Sequence, residues 1–128
     1  MKMNVGILII THSDIGKQIL LTATSVFGIT PFRVEVLSVD NYDQPNDVKQ
    51  LGEKYINFLD EGDGVLVLTD IIGTTPSNIA ASINHTNMKV VAGLNLSMIL
   101  NVFNYPNKSL DQLAKKAIEG GIDGIMKI

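Results

Sequence analysis

His12 follows the apolar run Val5–Ile10, and Asp70 follows a second apolar run, Val65–Leu68, one residue after Thr69. An imidazole beside a carboxylate has a definite chemical use. The carboxylate accepts the Nδ1 hydrogen, fixes the tautomer and leaves the Nε2 lone pair outward as a nucleophile or base. Shortly after Asp70 comes Gly73-Thr74-Thr75-Pro76, a turn that opens a helix. Thr75 reads as the N-cap, with Pro76 at the first helical position. The amides of Gly73, Thr74 and Thr75, at the positive end of the helix dipole, can receive an anion such as phosphate, and the Thr75 hydroxyl can donate to it. Thr11 and Ser13 add hydroxyls on either side of His12. The set describes a phosphoryl-accepting histidine. His12 and Asp70 are its reacting pair, and Thr11, Ser13, Gly73, Thr74 and Thr75 are its phosphate contacts.

The same residues also allow a plainer reading, in which His12 is a solvated loop residue and the Thr-Pro turn a structural cap. The other histidine, His85, lies in the polar connection Asn84-His85-Thr86-Asn87 and reads as surface loop without a role. Met98 and Phe103, at helical spacing, read as core.

Composition narrows the alternatives. The chain has 128 residues and no cysteine, which excludes a disulfide framework, a thiolate metal site and a cysteine nucleophile. No metal or organic cofactor is called for. Ten basic residues against 13 acidic ones give a net charge of −3, and the only basic pair is Lys115–Lys116, so the footprint of a nucleic-acid binder is missing. No apolar run reaches the roughly 20 residues of a membrane span, and Val5–Ile10 lacks the flanks of a signal peptide. A soluble cytoplasmic protein is expected. With 45% apolar residues, no linker and no repeat, residues 1–128 are expected to form one domain.

Positioning His12 beside Asp70 requires particular elements. The short apolar runs Val5–Ile10 and Val65–Leu68 suit parallel strands buried on both faces. Between them, Ile15, Ile19, Leu20, Ala23, Val26 and Phe27 predict a helix stopped by Gly28. Arg33–Val39 predicts an outer strand, and a helix opens at Pro45 with Val48, Leu51, Tyr55 and Leu59 on its apolar stripe. After Pro76, Ile79, Ala80 and Ile83 recur at helical spacing, then Val90–Gly93 reads as a fourth strand. A short helix carries Met98, Ile99, Val102 and Phe103. Ser109-Leu110-Asp111-Gln112 is a capping-box pattern for a last helix, with Leu110, Leu113, Ala114, Ala117 and Ile118 inward and Gly120-Gly121 as its stop. The tail Ile122–Ile128 is weakly strand-like.

This alternation predicts a small doubly wound α/β sandwich with a mainly parallel sheet. An order 2-1-3-4 puts the switch point between strands one and three, where His12 and Asp70 end their strands. Other switch-point chemistries lack their residues. There is no G-x-G-x-x-G, no P-loop, and no nucleophile elbow. A receiver domain would place an aspartate where Asp70 stands, but strand one here ends in Thr11-His12-Ser13 and not in an acidic pair.

Three segments, in order, resemble the IIA component of the mannose-family sugar phosphotransferase system. They are Ile10-Thr11-His12, Asp70 to Asn78 as a version of D-x-x-G-G-S-P-x-N, and Gly93–Met98 as a version of G-x-N-L-P-M. The resemblance implies a phosphocarrier that takes phosphate from the phosphohistidine of HPr onto Nε2 of His12 and passes it to a IIB component. It implies that Asp70 orients the ring and that Thr75 contacts the phosphate. It also implies a homodimer that exchanges a C-terminal antiparallel strand, at most peripheral to the membrane IIC and IID components. The chain's length implies a IIB component on another polypeptide. Ser13, Thr74, Thr75 and Ser97 depart from the family pattern of Gly, Gly, Ser and Pro. A regulatory phosphoryl-accepting module uncoupled from transport fits the same residues. So does the phosphoryl donor of dihydroxyacetone kinase, though Gly73-Thr74-Thr75-Pro76 speaks against it.

Overall fold

A computed structural model describes residues 2–128. Its elements run β1 (Gly6–His12), α1 (Ile15–Phe27), β2 (Val34–Val39), α2 (Pro45–Leu59), β3 (Val65–Thr69), α3 (Thr75–Ser82), β4 (Met88–Val91), α4 (Leu96–Phe103) and α5 (Leu110–Asp123). The strands form one parallel sheet in the order β2-β1-β3-β4, as the alternation predicts. Parallel pairing makes all four strands end on the same edge. The register sets His12 opposite Val39 and Ile10 opposite Thr69, so the end of β1 projects past the end of β3 toward Asp70.

β1 and β3 are apolar on both faces because helices cover both faces. On one side Ile7, Ile9, Leu66 and Leu68 pack with Ala23 of α1, with Met98, Ile99, Val102 and Phe103 of α4, and with Leu110, Leu113 and Ala117 of α5. On the other, Leu8, Ile10, Val65 and Val67 pack with Val48, Ile56 and Leu59 of α2 and with Ile79, Ala80 and Ile83 of α3. The result is a three-layer α/β/α sandwich whose two central strands are buried on both faces and paired on both edges.

Several predicted boundaries move, each for a physical reason. Gly120-Gly121 lies inside α5, because glycine there lets α5 lie close on α4. A Cβ on Gly120 would sit 2.4 Å from Cβ of Asn101. The Asn95 and Asn101 amides bridge the same seam, donating to the carbonyls of Gly121 and Lys116 at 3.1 and 2.7 Å. The helix therefore continues through Ile122 and Asp123, and Ile125–Ile128 form no strand within the chain. β4 starts at Met88 and ends before Ala92. Leu51, Ile118, Ile15 and Val26, predicted on apolar stripes, are exposed at the margins of theirs.

α1 seats closely on β1 at Gly16. A Cβ there would meet Cγ2 of Ile9 at 2.6 Å and Oγ1 of Thr11 at 2.9 Å, and the Gly16 amide donates to that hydroxyl. Gly16→Ala is expected to lower stability by about 1–3 kcal/mol through overpacking. An unchanged midpoint in urea denaturation would contradict this seating.

Candidate functional site

The site starts from two strand ends. β1 delivers His12 and the loop after β3 delivers Asp70, which is buried. One carboxylate oxygen, Oδ2, accepts from Nδ1 of His12 at 2.8 Å and from the His12 backbone amide at 3.0 Å. The other, Oδ1, accepts from the Ile71 amide at 2.9 Å. One carboxylate therefore orients the ring and also fixes the backbone that carries it. Burial raises the pKa of Asp70, but the bonds from the His12 amide, the His12 ring and the Ile71 amide outweigh it and hold the carboxyl below its ordinary value. Asp70 is thus held as an anion, which favours the tautomer of His12 with its hydrogen on Nδ1. The lone pair is left on Nε2, on a side chain 39% exposed.

The Asp70 carbonyl accepts from Gly93, and the Thr69 carbonyl from Leu94, at 2.8 and 3.0 Å. The strand end that carries Asp70 is thereby tied to the loop leading into α4. Met98 and Phe103 are core, as their spacing indicates.

The turn after Asp70 differs from the predicted cap by one residue. Thr74, not Thr75, is the N-cap of α3, and Thr75 and Pro76 fill the first helical positions. Pro76 still sits where no amide hydrogen is needed. Gly73 adopts φ 82°, a conformation glycine reaches without steric cost. The Thr74 hydroxyl is engaged with the Ile71 carbonyl at 2.6 Å, and its amide donates to Oγ of Ser77 at 3.1 Å. Thr75 is exposed at the first helical position.

The residues flanking His12 divide. The Thr11 hydroxyl is fully buried and bonded within the chain, accepting from Gly16, so it braces β1 against α1 and does not line the surface beside His12. Ser13 is exposed and has φ 46°, the only non-glycine residue with positive φ among the described residues. Its amide donates to the Val39 carbonyl at 2.9 Å, which holds it there. Such a conformation costs a side-chain-bearing residue about 1–2 kcal/mol. The strain sits directly beside the candidate acceptor.

His85 is not a free surface residue. Its Nε2 lies 2.7 Å from Oδ2 of Asp60, with the ring 18% exposed. Asp60 also accepts from the Gly62 and Gly64 amides at 2.9 and 3.0 Å. The sequence signal for this pair was faint, since Asp60 sits before a glycine-rich turn far from His85 in the chain. A cavity of about 770 Å³ lies away from His12, lined by Asn4, Val5, Thr30, Phe32, Arg33 and Asn107 among others.

Fold and site define a doubly wound α/β domain with a carboxylate-oriented histidine at its switch point. A family model described as the fructose IIA component of the phosphotransferase system matches residues 6–118. The mannose-specific EIIAB component of the Escherichia coli K12 phosphotransferase system is 30% identical over 130 residues, covering 96% of this chain and 39% of its own length. The chain thus spans about two-fifths of that relative. Component EIIA from Streptococcus agalactiae matches with a TM-score of 0.81 at 28% identity, over 96% of each chain. The mannose/sorbose specific IIA subunit from Enterococcus faecalis shares the fold, with a TM-score of 0.87 at 23% identity over 98% of this chain and 96% of that one. The chain belongs to the mannose-type IIA family of the phosphotransferase system.

Asp70→Asn is expected to lower stability near neutral pH by about 1–3 kcal/mol, since a buried charge-assisted network loses its anion. The folded-state pKa lies below the unfolded one. The stabilisation is therefore present above the unfolded value and is lost as pH falls through the lowered one. Urea titrations of both proteins near neutral pH and in the acid range check this. A gap that widens on acidification would contradict it.

Proposed function

We propose that the protein is a phosphocarrier whose acceptor atom is Nε2 of His12. The observation that carries this reading is the 2.8 Å contact of Asp70 with Nδ1, which leaves the opposite ring nitrogen free on a partly exposed side chain. The donor is the phosphohistidine of HPr. The phosphorus–nitrogen bond of the donor breaks as the bond to Nε2 forms, and the donor imidazole recovers its lone pair. The imidazolium character that develops on His12 is stabilised by the Asp70 carboxylate, as a buried carboxylate stabilises a histidine base. The same steps in reverse pass the phosphoryl group to a IIB component.

Phosphoryl transfer needs mainly positioning and charge stabilisation, and no metal or organic cofactor is required for it in this reading. The Gly73, Thr74 and Thr75 segment supplies the start of α3 toward the phosphoryl oxygens, with the exposed Thr75 hydroxyl as donor. Ser13 supplies a second hydroxyl. Thr11 acts only by bracing the strand, which its buried hydroxyl supports. Residues 1–128 act as a single IIA domain in the cytoplasm, where HPr resides. No helix among the described residues is long and apolar enough to cross a membrane. A homodimer is part of the same reading. β4 is an edge strand, and the tail residues Ile125, Met126 and Ile128 are exposed, so a second copy could cover both.

Incubation with phosphoenolpyruvate, enzyme I and HPr is expected to place an acid-labile, base-stable phosphate on the chain, and none on His12→Ala. Asp70→Asn should accept phosphate at least tenfold more slowly while remaining folded, because the ring loses its fixed tautomer. Equal labelling of His12→Ala would overturn the site.

A further inference from the structure

The cavity of about 770 Å³ lies where β1 and β2 begin, at the opposite edge of the sheet from His12. Ligand pockets span roughly 300–1,000 Å³, so its size admits a small organic molecule. Three chain segments wall it. Residues 2–5 lead into β1, residues 30–33 lead into β2, and Pro106 and Asn107 lie between α4 and α5. The chemistry at His12 uses none of them.

These walls carry donors without acceptors. The Arg33 carbonyl accepts from Ile7 at 2.9 Å, yet the amides of Thr30, Phe32 and Arg33 donate to no group among the described residues. The side-chain amides of Asn4 and Asn107 are likewise unpartnered there. Lys2 is exposed and forms no ion pair among the described residues. Arg33 is held in place by Glu61, by the Phe58 carbonyl at 3.0 Å and by the Phe58 ring, 4.8 Å from its guanidinium carbon. Glu61 offsets the charge of Arg33, so the net positive charge comes from Lys2. No acidic side chain among the described residues lines the cavity. A free cation and several free amides around one space select an anion.

The remaining wall selects what carries the anion. Phe32 is fixed by stacking on Phe103, with ring centroids 6.1 Å apart, and Pro31, Pro106 and Val5 continue the apolar surface. Such a surface takes the face of a ring, and side-chain amides, with both donors and an acceptor, match its hydroxyls. We infer that this cavity binds a phosphate monoester of a hydroxylated ring, the group that pentose phosphates and nucleoside monophosphates share. Lys2 and the amides of Phe32 and Arg33 hold the phosphate. Asn4 and Asn107 hold the hydroxyls.

The probes are ribose 5-phosphate, AMP, ribose and inorganic phosphate, each titrated into the nitrogen-15-labelled full chain. Ribose 5-phosphate is expected to shift the amide signals of Asn4, Phe32, Arg33 and Asn107 saturably, and to leave those of His12 and Asp70 in place. Lys2→Gln and Asn107→Ala, both at exposed positions, should each weaken it about tenfold, as loss of one such bond does. Tighter binding of AMP would make the ligand a nucleotide, and equal or weaker binding a sugar phosphate. No saturable shift with either ester overturns the site, and so does unchanged affinity in both variants. Ribose binding as tightly as its phosphate overturns the anion. Inorganic phosphate binding as tightly as the esters also overturns the proposal, because it marks an adventitious ion only.

Discussion

A single oxygen atom, Oδ2 of Asp70, accepts from two donors of His12, one on the ring and one on the backbone. The arrangement works only if two strands far apart in sequence end side by side, and the parallel order β2-β1-β3-β4 provides that. Both strands are buried on both faces, so neither can slide without exposing several aliphatic side chains to water. The core in this way fixes the distance from the carboxylate to the ring. The carboxylate then fixes which ring nitrogen faces outward.

The two histidines show how much depends on which nitrogen is held. In the pair at the sheet's far end, Asp60 holds His85 through Nε2 and joins the loop before β3 to the connection after α3. That arrangement braces a pole of the fold. At the switch point the carboxylate takes Nδ1 instead, and the less hindered Nε2 is presented outward on the more exposed ring. The same pair of residue types thus has different uses, set by which edge of the sheet it occupies and by which atom is bonded.

Much of this was legible in the chain. The runs Val5–Ile10 and Val65–Leu68 state by their lack of alternation that they are central strands, and the residues that end such strands at a switch point are the natural candidates for chemistry. What was not legible came from tertiary contacts. Gly120-Gly121 looks like a helix stop and is instead a close helix–helix approach, visible only once Asn101 is placed opposite. Thr11 looks like a phosphate contact and turns inward to Gly16, because β1 extends two residues beyond its apolar run. The cap of α3 moved from Thr75 to Thr74 because proline is as acceptable at the second helical position as at the first. Ser13, where the family pattern has glycine, retains the left-handed backbone that glycine would adopt freely, and the Val39 carbonyl holds it there.

The central claim is that Asp70 determines the phosphorylated atom. Long-range proton–nitrogen correlation spectra of the uniformly nitrogen-15-labelled protein, taken before and after phosphorylation, identify that atom directly. The account predicts Nδ1 protonated and Nε2 bare in the resting His12 ring, and phosphorus bonded to Nε2 after transfer. Phosphorus on Nδ1, or a resting ring protonated at Nε2, would contradict it.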